Sequence, residues 1–125
     1  MSFLTDRKRV EGLGSAKKGT AHFWEQRLSA IALLFLVPLF LFPFSYNLGG
    51  GFEEVRDAYA HPVNAVIAIA FFVTVFLHLF QGLQVVIEDY VHGRMGMVLI
   101  ISSRLLCTLF ALVGVYAIIR ISLGA

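Results

Sequence analysis

Three long apolar segments alternate with short polar ones along the chain. They cover residues 28–46, 62–87 and 97–123. Each is close to or above the roughly 20 residues that an α-helix needs to cross the hydrocarbon core of a membrane. None has the alternating apolar and polar positions of a barrel strand. The pattern therefore predicts an all-α integral membrane protein, with three transmembrane helices in one domain over residues 1–125.

Prolines and glycines mark places where these predicted helices should bend, end or begin. Pro38 and Pro43 each lack a backbone N–H donor, so a kink or an early end is expected in the first span. The three glycines of residues 49–51 form a flexible exit from that span. Pro62 suits the first turn of the second helix.

The positive charges predict the orientation of the spans. Lysine and arginine in short flanks favour the cytoplasmic side. The N-terminal arm (residues 1–26) and the second loop, between the second and third spans, are therefore placed in the cytoplasm. The first loop, residues 47–61, has one arginine against three carboxylates and is placed outside, together with the C-terminus. The basic residues at the N-terminal side are Arg7, Lys8, Arg9, Lys17, Lys18 and Arg27.

The N-terminal arm also bears on localisation. More than a short basic region precedes the first apolar segment, which is unlike a cleaved secretory signal. Asp6 and Glu11 interrupt the basic cluster, whereas organelle transit peptides are poor in acids. We therefore expect a bacterial inner-membrane protein rather than one of the mitochondrial inner membrane.

Composition excludes several classes of function. Charged residues make up 14% of the chain, against about 25% in soluble domains. The basic arm is followed by nothing that could read bases or stack on them, so no nucleic-acid partner is expected. The single cysteine, Cys107, cannot hold an iron–sulfur cluster or a structural zinc, and is expected to be a small core residue. A glycine-rich nucleotide fingerprint is also absent.

Polar positions of the second span fall on one side of its helix. Thr74, His78, Gly82 and Asp89 align at about 100° per residue, with Gln81 at the border. An ionisable side chain inside the membrane is costly and by default marks a functional site. Neutral imidazole suits haem iron, and the glycine leaves space beside it. The alternative is a histidine that hydrogen-bonds a neighbouring helix beside a close-packing glycine.

The other histidines lie at the predicted membrane surfaces. His22 and His92 are placed at the cytoplasmic edge and His61 at the opposite surface. None is at the depth of His78. A haem with two imidazole ligands would therefore take the second one from another chain, in a hetero-oligomer or a symmetric dimer.

The segment His78-Leu-Phe-Gln-Gly82-Leu-Gln-Val-Val-Ile-Glu-Asp89-Tyr90 resembles the hallmark of the D-type hydrophobic membrane anchors of succinate dehydrogenase. Members of that family have His-x-x-x-Gly on a helix and an Asp-Tyr pair at this spacing. The segment His22-Phe-Trp-Glu-Gln-Arg27-Leu-Ser-Ala, ahead of the first span, resembles the family's segment before its first helix, with its arginine. The resemblance extends over nearly the whole chain, although only the second-helix motif is specific.

The resemblance implies a role for each matched residue. His78 would be one axial ligand of haem b, and a second anchor subunit of the cytochrome b type would give the other. Tyr90 would donate a hydrogen bond to ubiquinone, with Asp89 beside it to hold the tyrosine or to handle protons. Arg27, with His22 nearby, would pair with a haem propionate. Each has a structural alternative: an interfacial aromatic, a helix cap and a positive-inside anchor for Tyr90, Asp89 and Arg27.

Together these features predict a membrane-anchor subunit of succinate–quinone oxidoreductase, respiratory complex II, that is not an enzyme by itself. It would hold the flavoprotein and iron–sulfur subunits at the lipid bilayer and contribute to the haem b and ubiquinone sites. A non-redox scaffold or accessory subunit and a homodimeric b-type cytochrome are the alternatives. Arg104 is a further candidate partner for a propionate or for Asp89, and His92 and Arg94 have no assigned role.

Overall fold

The computed structural model describes residue 3, residues 5–12 and residues 19–124. Its elements are α1 (Asp6–Glu11), α2 (Gly19–Asn47), a 3-10 turn (Leu48–Gly50), α3 (Phe52–Ala60), α4 (Pro62–Tyr90) and α5 (Gly93–Ser122). No strand occurs in these ranges, which confirms the all-α prediction. Two lysines of the predicted cytoplasmic arm, Lys17 and Lys18, lie outside the described residues.

Helices α2, α4 and α5 are long and apolar enough to cross a membrane. The candidate spans are Thr20–Gly50, Pro62–Tyr90 and Gly93–Ser122, which confirms three predicted spans. Each helix is longer than its predicted apolar segment. The polar residues that flank each apolar segment are also helical. A helix satisfies its backbone hydrogen bonds internally, so it can extend from the membrane into water.

Pro38 and Pro43 both lie inside helix α2, which continues to Asn47. Of the two outcomes expected for these prolines, a kink or an early end, the early end does not occur. Losing one backbone donor costs less than ending a helix where no water can satisfy its last carbonyl groups. The Asn47 side-chain amide donates to the carbonyl oxygen of Pro43 at 2.7 Å, at the last turn. The chain leaves the 3-10 turn through Gly51, whose φ of 90° favours glycine.

A short amphipathic helix, α3, packs at the end of the bundle where α2 ends and α4 begins. Residues 47–61 were expected to form a loop, and α3 corrects that expectation. Its Tyr59 is buried, and the hydroxyl donates to the carbonyl oxygen of Phe40 at 2.5 Å. The cluster of buried residues around it comprises Tyr59, Ala65, Ala68 and Ile118. Helix α3 therefore joins the three long helices at this end.

Helix α4 is central, because α2 and α5 each pack against it and, within the described residues, not against each other. His61 caps the start of α4 by accepting from the Val63 N–H at 3.3 Å, and Pro62 occupies the first turn as predicted. On the α5 side, a Cβ added at Gly114 would lie 2.6 Å from the Phe72 ring, so glycine permits this close approach. At the end away from α3, the two outer helices leave a groove over α4.

Candidate functional site

His78 contacts helix α2 through one of its two ring nitrogens. Its Nδ1 lies 2.9 Å from the Ser29 hydroxyl oxygen. That hydroxyl also lies 3.1 Å from Oε1 of Gln81 and 2.9 Å from the carbonyl oxygen of Gln26. Within the described residues, Nε2 of His78 has no hydrogen-bond partner. The expected alternative of a hydrogen bond to a neighbouring helix is thus present at Nδ1, and it leaves Nε2 available as a ligand atom.

The helix surface one turn from His78 is open. A Cβ built at Gly82 would have one atom within 4 Å, Nε2 of Gln26 at 3.9 Å. An imidazole nitrogen is a common ligand of haem iron, and the flat macrocycle can lie against a helix surface that has no projecting side chain. His78 and Gly82 therefore fit one half of a haem site.

Within the described residues, the other histidines are not at the level of His78. His61 and His92 are the N-cap residues of α4 and α5, about 25 Å and 20 Å along the chain from His78 at 1.5 Å per helical residue. His22 is seven positions before Ser29 on α2, about 10 Å from it along the helix. The expectation that a second axial imidazole comes from another polypeptide stays a prediction.

Arg27 and His22 lie on different sides of α2, so the structure does not bring this predicted pair together. Arg27 is exposed, and its guanidinium lies 4.3 Å from the centre of the Phe23 ring. Arg27 is two positions before Ser29, so the two side chains point about 160° apart around the axis of α2. A propionate bound by Arg27 would therefore lie on the side of α2 turned away from α4.

His22 instead lines a groove of about 420 Å³ between α2 and α5. Its Nε2 is buried, with no hydrogen-bond partner among the residues that the structure describes. The polar side chains of this groove are His22, Glu25, Gln81, Gln84, Arg104 and Thr108. His78 is not part of its lining, so the groove is separate from the open face at Gly82.

Arg104 and Cys107 also line the groove. The Arg104 guanidinium lies 5.6 Å from the centre of the Phe80 ring and makes no ion pair within the described part of the chain. The suggested pairing of Arg104 with Asp89 is therefore not formed. Cys107 is buried, which confirms its expected place in the core.

Asp89 and Tyr90 form the exposed end of α4. Tyr90 is the last residue of the helix, and 80% of its surface is accessible. The helix is closed by the Val91 N–H, which donates to the Ile87 carbonyl oxygen at 2.8 Å. The Asp89 carboxylate makes no hydrogen bond or ion pair within residues 19–124, so it does not cap the helix. Both side chains are available to a ligand or a neighbouring subunit.

Comparison with known proteins identifies the family of this chain. The family model of the succinate dehydrogenase/fumarate reductase transmembrane subunit matches residues 2–119. The chain belongs to this family. That assignment confirms the resemblance inferred from the second-helix motif, and it agrees with the three apolar helices.

Two similar relatives cover nearly the full length of this transmembrane subunit. Both are named succinate dehydrogenase hydrophobic membrane anchor subunit. That of Paracoccus denitrificans is 35% identical over 125 residues, which are 100% of this chain and 97% of the relative. That of Rickettsia bellii (strain RML369-C) is 30% identical over 118 residues, 93% and 94% of the two chains. No solved structure matches.

Sequence reasoning about this transmembrane subunit missed Ser29 and Gln26, which contact the residues of α4. Ser29 was counted as part of the first apolar segment. A signal was available, because seven residues separate it from His22, and this is two helical turns on one side of α2. A polar face on the first helix could therefore have been paired with the polar face of the second.

Proposed function

We propose that this subunit is the hydrophobic membrane anchor of a succinate dehydrogenase, respiratory complex II. It is not catalytic by itself; it contributes His78 to a haem b site, and Tyr90 and Asp89 to a ubiquinone site. The observation that carries the proposal is the imidazole of His78, with Nδ1 against Ser29 and Nε2 unpartnered within the described residues. The family match and the two full-length relatives support the same assignment.

The proposed haem residues have two roles: one binds the iron, and another neutralises the charge of a propionate. A bound haem supplies a one-electron carrier within the membrane. His78 would hold the iron through Nε2, and Gly82 leaves the helix surface beside it without a side chain. Arg27 supplies the permanent cation that a carboxylate near lipid needs, and it would form charge-assisted hydrogen bonds with a propionate that extends around α2 to the side turned away from α4. A second anchor subunit would supply the other ligand.

The quinone residues lie at the surface end of α4. The phenol O–H of Tyr90 donates to a carbonyl oxygen of ubiquinone, a role that suits a tyrosine at the membrane interface. Reduction of a quinone takes up two electrons and two protons. Asp89 is exposed and adjacent, so it relays protons from water to the bound quinone.

The remaining subunits complete the enzyme. Succinate oxidation takes place on a flavoprotein subunit, and electrons reach the quinone through an iron–sulfur subunit. Both are held on the cytoplasmic side, where the basic N-terminal arm and Tyr90 are placed. The membrane is the bacterial inner membrane, in agreement with the relatives from Paracoccus and Rickettsia.

One contact also favours a non-redox function. The hydrogen bond between Ser29 and His78 joins α2 to α4, so the histidine serves helix packing even without iron. A helical scaffold or accessory subunit would use the residue in this way alone.

Affinity purification of the tagged subunit from its own membranes in mild detergent tests the proposal. We expect three further polypeptides, one of them carrying flavin, and b-type absorption bands on reduction. Co-purifying subunits without b-type bands would favour the scaffold. Haem bound to this chain alone would favour a homodimeric b-type cytochrome.

A further inference from the structure

Ser29 is the one side chain of α2 that contacts two polar residues of the His78 face. Its hydroxyl oxygen lies 2.9 Å from Nδ1 of His78 and 3.1 Å from Oε1 of Gln81. It also lies 2.9 Å from the carbonyl oxygen of Gln26, one turn back on its own helix. Ser29 is half-buried at the interface between α2 and α4. One hydroxyl therefore has three polar neighbours.

The chemistry of these neighbours determines where the protons are. A serine hydroxyl has one proton to donate and two lone pairs that accept. The Gln26 carbonyl can only accept, and Gln81 presents its amide oxygen, so the hydroxyl proton is directed to these oxygens. The contact with His78 is then a hydrogen bond only if Nδ1 carries the proton and donates it to Ser29. In this arrangement the imidazole N–H faces a lone pair of the hydroxyl, and the single hydroxyl proton is shared between the oxygens of Gln26 and Gln81.

The position of that proton decides which nitrogen is free. A neutral imidazole with its proton on Nδ1 has its lone pair on Nε2. In metal sites, the hydrogen bond made by the non-ligating nitrogen fixes the tautomer and the orientation of the ring, and makes the ligand more basic. Nε2 is also the nitrogen without a partner within the described residues.

We infer that Ser29 is a positioning residue for the haem ligand: it accepts the Nδ1 proton of His78 and so presents Nε2 to the iron. This inference rests on the proposed function of His78. It assigns α2 a role that the motif on α4 does not contain. Loss of the hydroxyl would leave the ring less firmly oriented and the ligand less basic, which weakens haem retention and favours the ferrous state.

Ser29→Ala in the purified complex is the direct test, with haem content per flavin and the haem midpoint potential as readouts. We expect a higher midpoint potential and a loss of haem retention of about 10- to 100-fold, the range for lost partners of metal-bound histidines. Ser103→Ala is the matched control, because Ser103 is also half-buried and donates within its own helix, to the Ile100 carbonyl oxygen at 3.1 Å. The control should keep the wild-type potential.

Ser29→Thr and Ser29→Val separate the hydroxyl from the shape of the side chain. Threonine and valine have nearly the same volume, but only threonine retains a hydroxyl. We expect the wild-type potential with threonine and the alanine-like potential with valine. If the Ser29→Ala complex fails to assemble, the threonine and valine variants still test whether the hydroxyl sets the haem potential. Equal potentials in the threonine, valine and wild-type complexes would overturn the inference.

His78→Ala distinguishes failure of this inference from failure of the proposed function. Loss of the b-type bands in His78→Ala, together with an unchanged potential in Ser29→Ala and Ser29→Val, would overturn the role of Ser29 alone. Retention of the bands in His78→Ala would overturn both, because the ligand itself would then be elsewhere.

Discussion

Two side chains of α4 at different depths carry the proposed chemistry. His78 lies within the span and contacts α2, whereas Tyr90 is the last residue of the helix and is 80% exposed. Twelve residues separate them, about 18 Å along a helix. The His78 side chain is thus half-buried at the interface with α2, whereas that of Tyr90 is exposed. These surroundings suit the electron carrier proposed at His78 and the proton-coupled quinone site proposed at Tyr90.

Tyr90→Phe should impair quinone reduction without affecting succinate oxidation. Removing the phenol hydroxyl leaves the quinone oxygen without a donor, and loss of about 1.4 kcal/mol lowers the rate about tenfold. Succinate-dependent ubiquinone reduction should fall by about that factor or more, while reduction of an artificial dye by the same complex is retained. Tyr46→Phe is the control, because Tyr46 is equally exposed, at 80%, and lies near the C-terminal end of α2. Unchanged quinone turnover in Tyr90→Phe would exclude the proposed hydrogen bond.

At the scale of single helices, glycine serves two different purposes. Gly114 on α5 faces the ring of Phe72, where an added Cβ would lie 2.6 Å from the nearest ring atom. Gly82 on α4 has space, with its nearest contact at 3.9 Å. The first glycine allows two helices to pack closely, and the second leaves a surface open for a ligand.

Gly114→Ala and Gly82→Ala should therefore have different effects. Overpacking at residue 114 is expected to cost about 1–3 kcal/mol, which would lower the thermal stability of the complex. Gly82→Ala should leave assembly intact and reduce haem content, since the methyl group would occupy space only at the ligand face. Normal haem content in an assembled Gly82→Ala complex would argue against a haem beside Gly82.

Helix α3 depends on the hydrogen bond between Tyr59 and the Phe40 carbonyl oxygen. Tyr59→Phe should reduce the free energy of unfolding by about 1 kcal/mol, with Tyr46→Phe as an exposed control. Burial raises the pKa of Tyr59 above its usual value of 10.0. The unfolded phenol therefore loses its proton first as the pH rises, so stability should decline above pH 10. Thermal unfolding between pH 8 and pH 11 checks this, and an identical profile in Tyr59→Phe would contradict it.

The sequence predicted the long helices better than the short one. Continuous apolar segments are sufficient to identify spans, because the membrane excludes other structures. The segment of α3 is short, acidic and preceded by three glycines, and its helix is stabilised by Tyr59 packing onto Phe40 from another part of the chain. Contacts of that kind have no local pattern.

The sequence pointed to the candidate residues of α4 and to Arg27 and His22 of α2, but not to the contact of Ser29 with His78. The spacing of His78, Gly82 and Asp89 could be followed along one helix from the sequence alone. Ser29 is 49 positions from His78, and their contact depends on how α2 and α4 pack. Helix α2 begins at Gly19, before the apolar segment, so His22 and Arg27 are both helical residues. Their positions in the helix place their side chains on different sides of α2.

On the scale of the whole molecule, the structure is three long helices with few buried side chains. The buried apolar residues of the described chain are Tyr59, Ala65, Ala68, Cys107 and Ile118. Helices α2 and α5 flank α4 without touching within the described residues, so much apolar surface faces outward. Lipid and a second anchor subunit are expected to cover this surface. Within the described residues, the histidine of the central helix has an unpartnered Nε2, and the second haem ligand is proposed to come from the second anchor subunit.

The most direct test of the account is the absorption spectrum of the whole complex with His78→Ala, with His92→Ala as a control at the exposed start of α5. The account predicts that His78→Ala loses the b-type bands while the flavin and iron–sulfur subunits still co-purify, and that His92→Ala keeps them. Wild-type bands in an assembled His78→Ala complex would contradict the assignment of this imidazole to the iron.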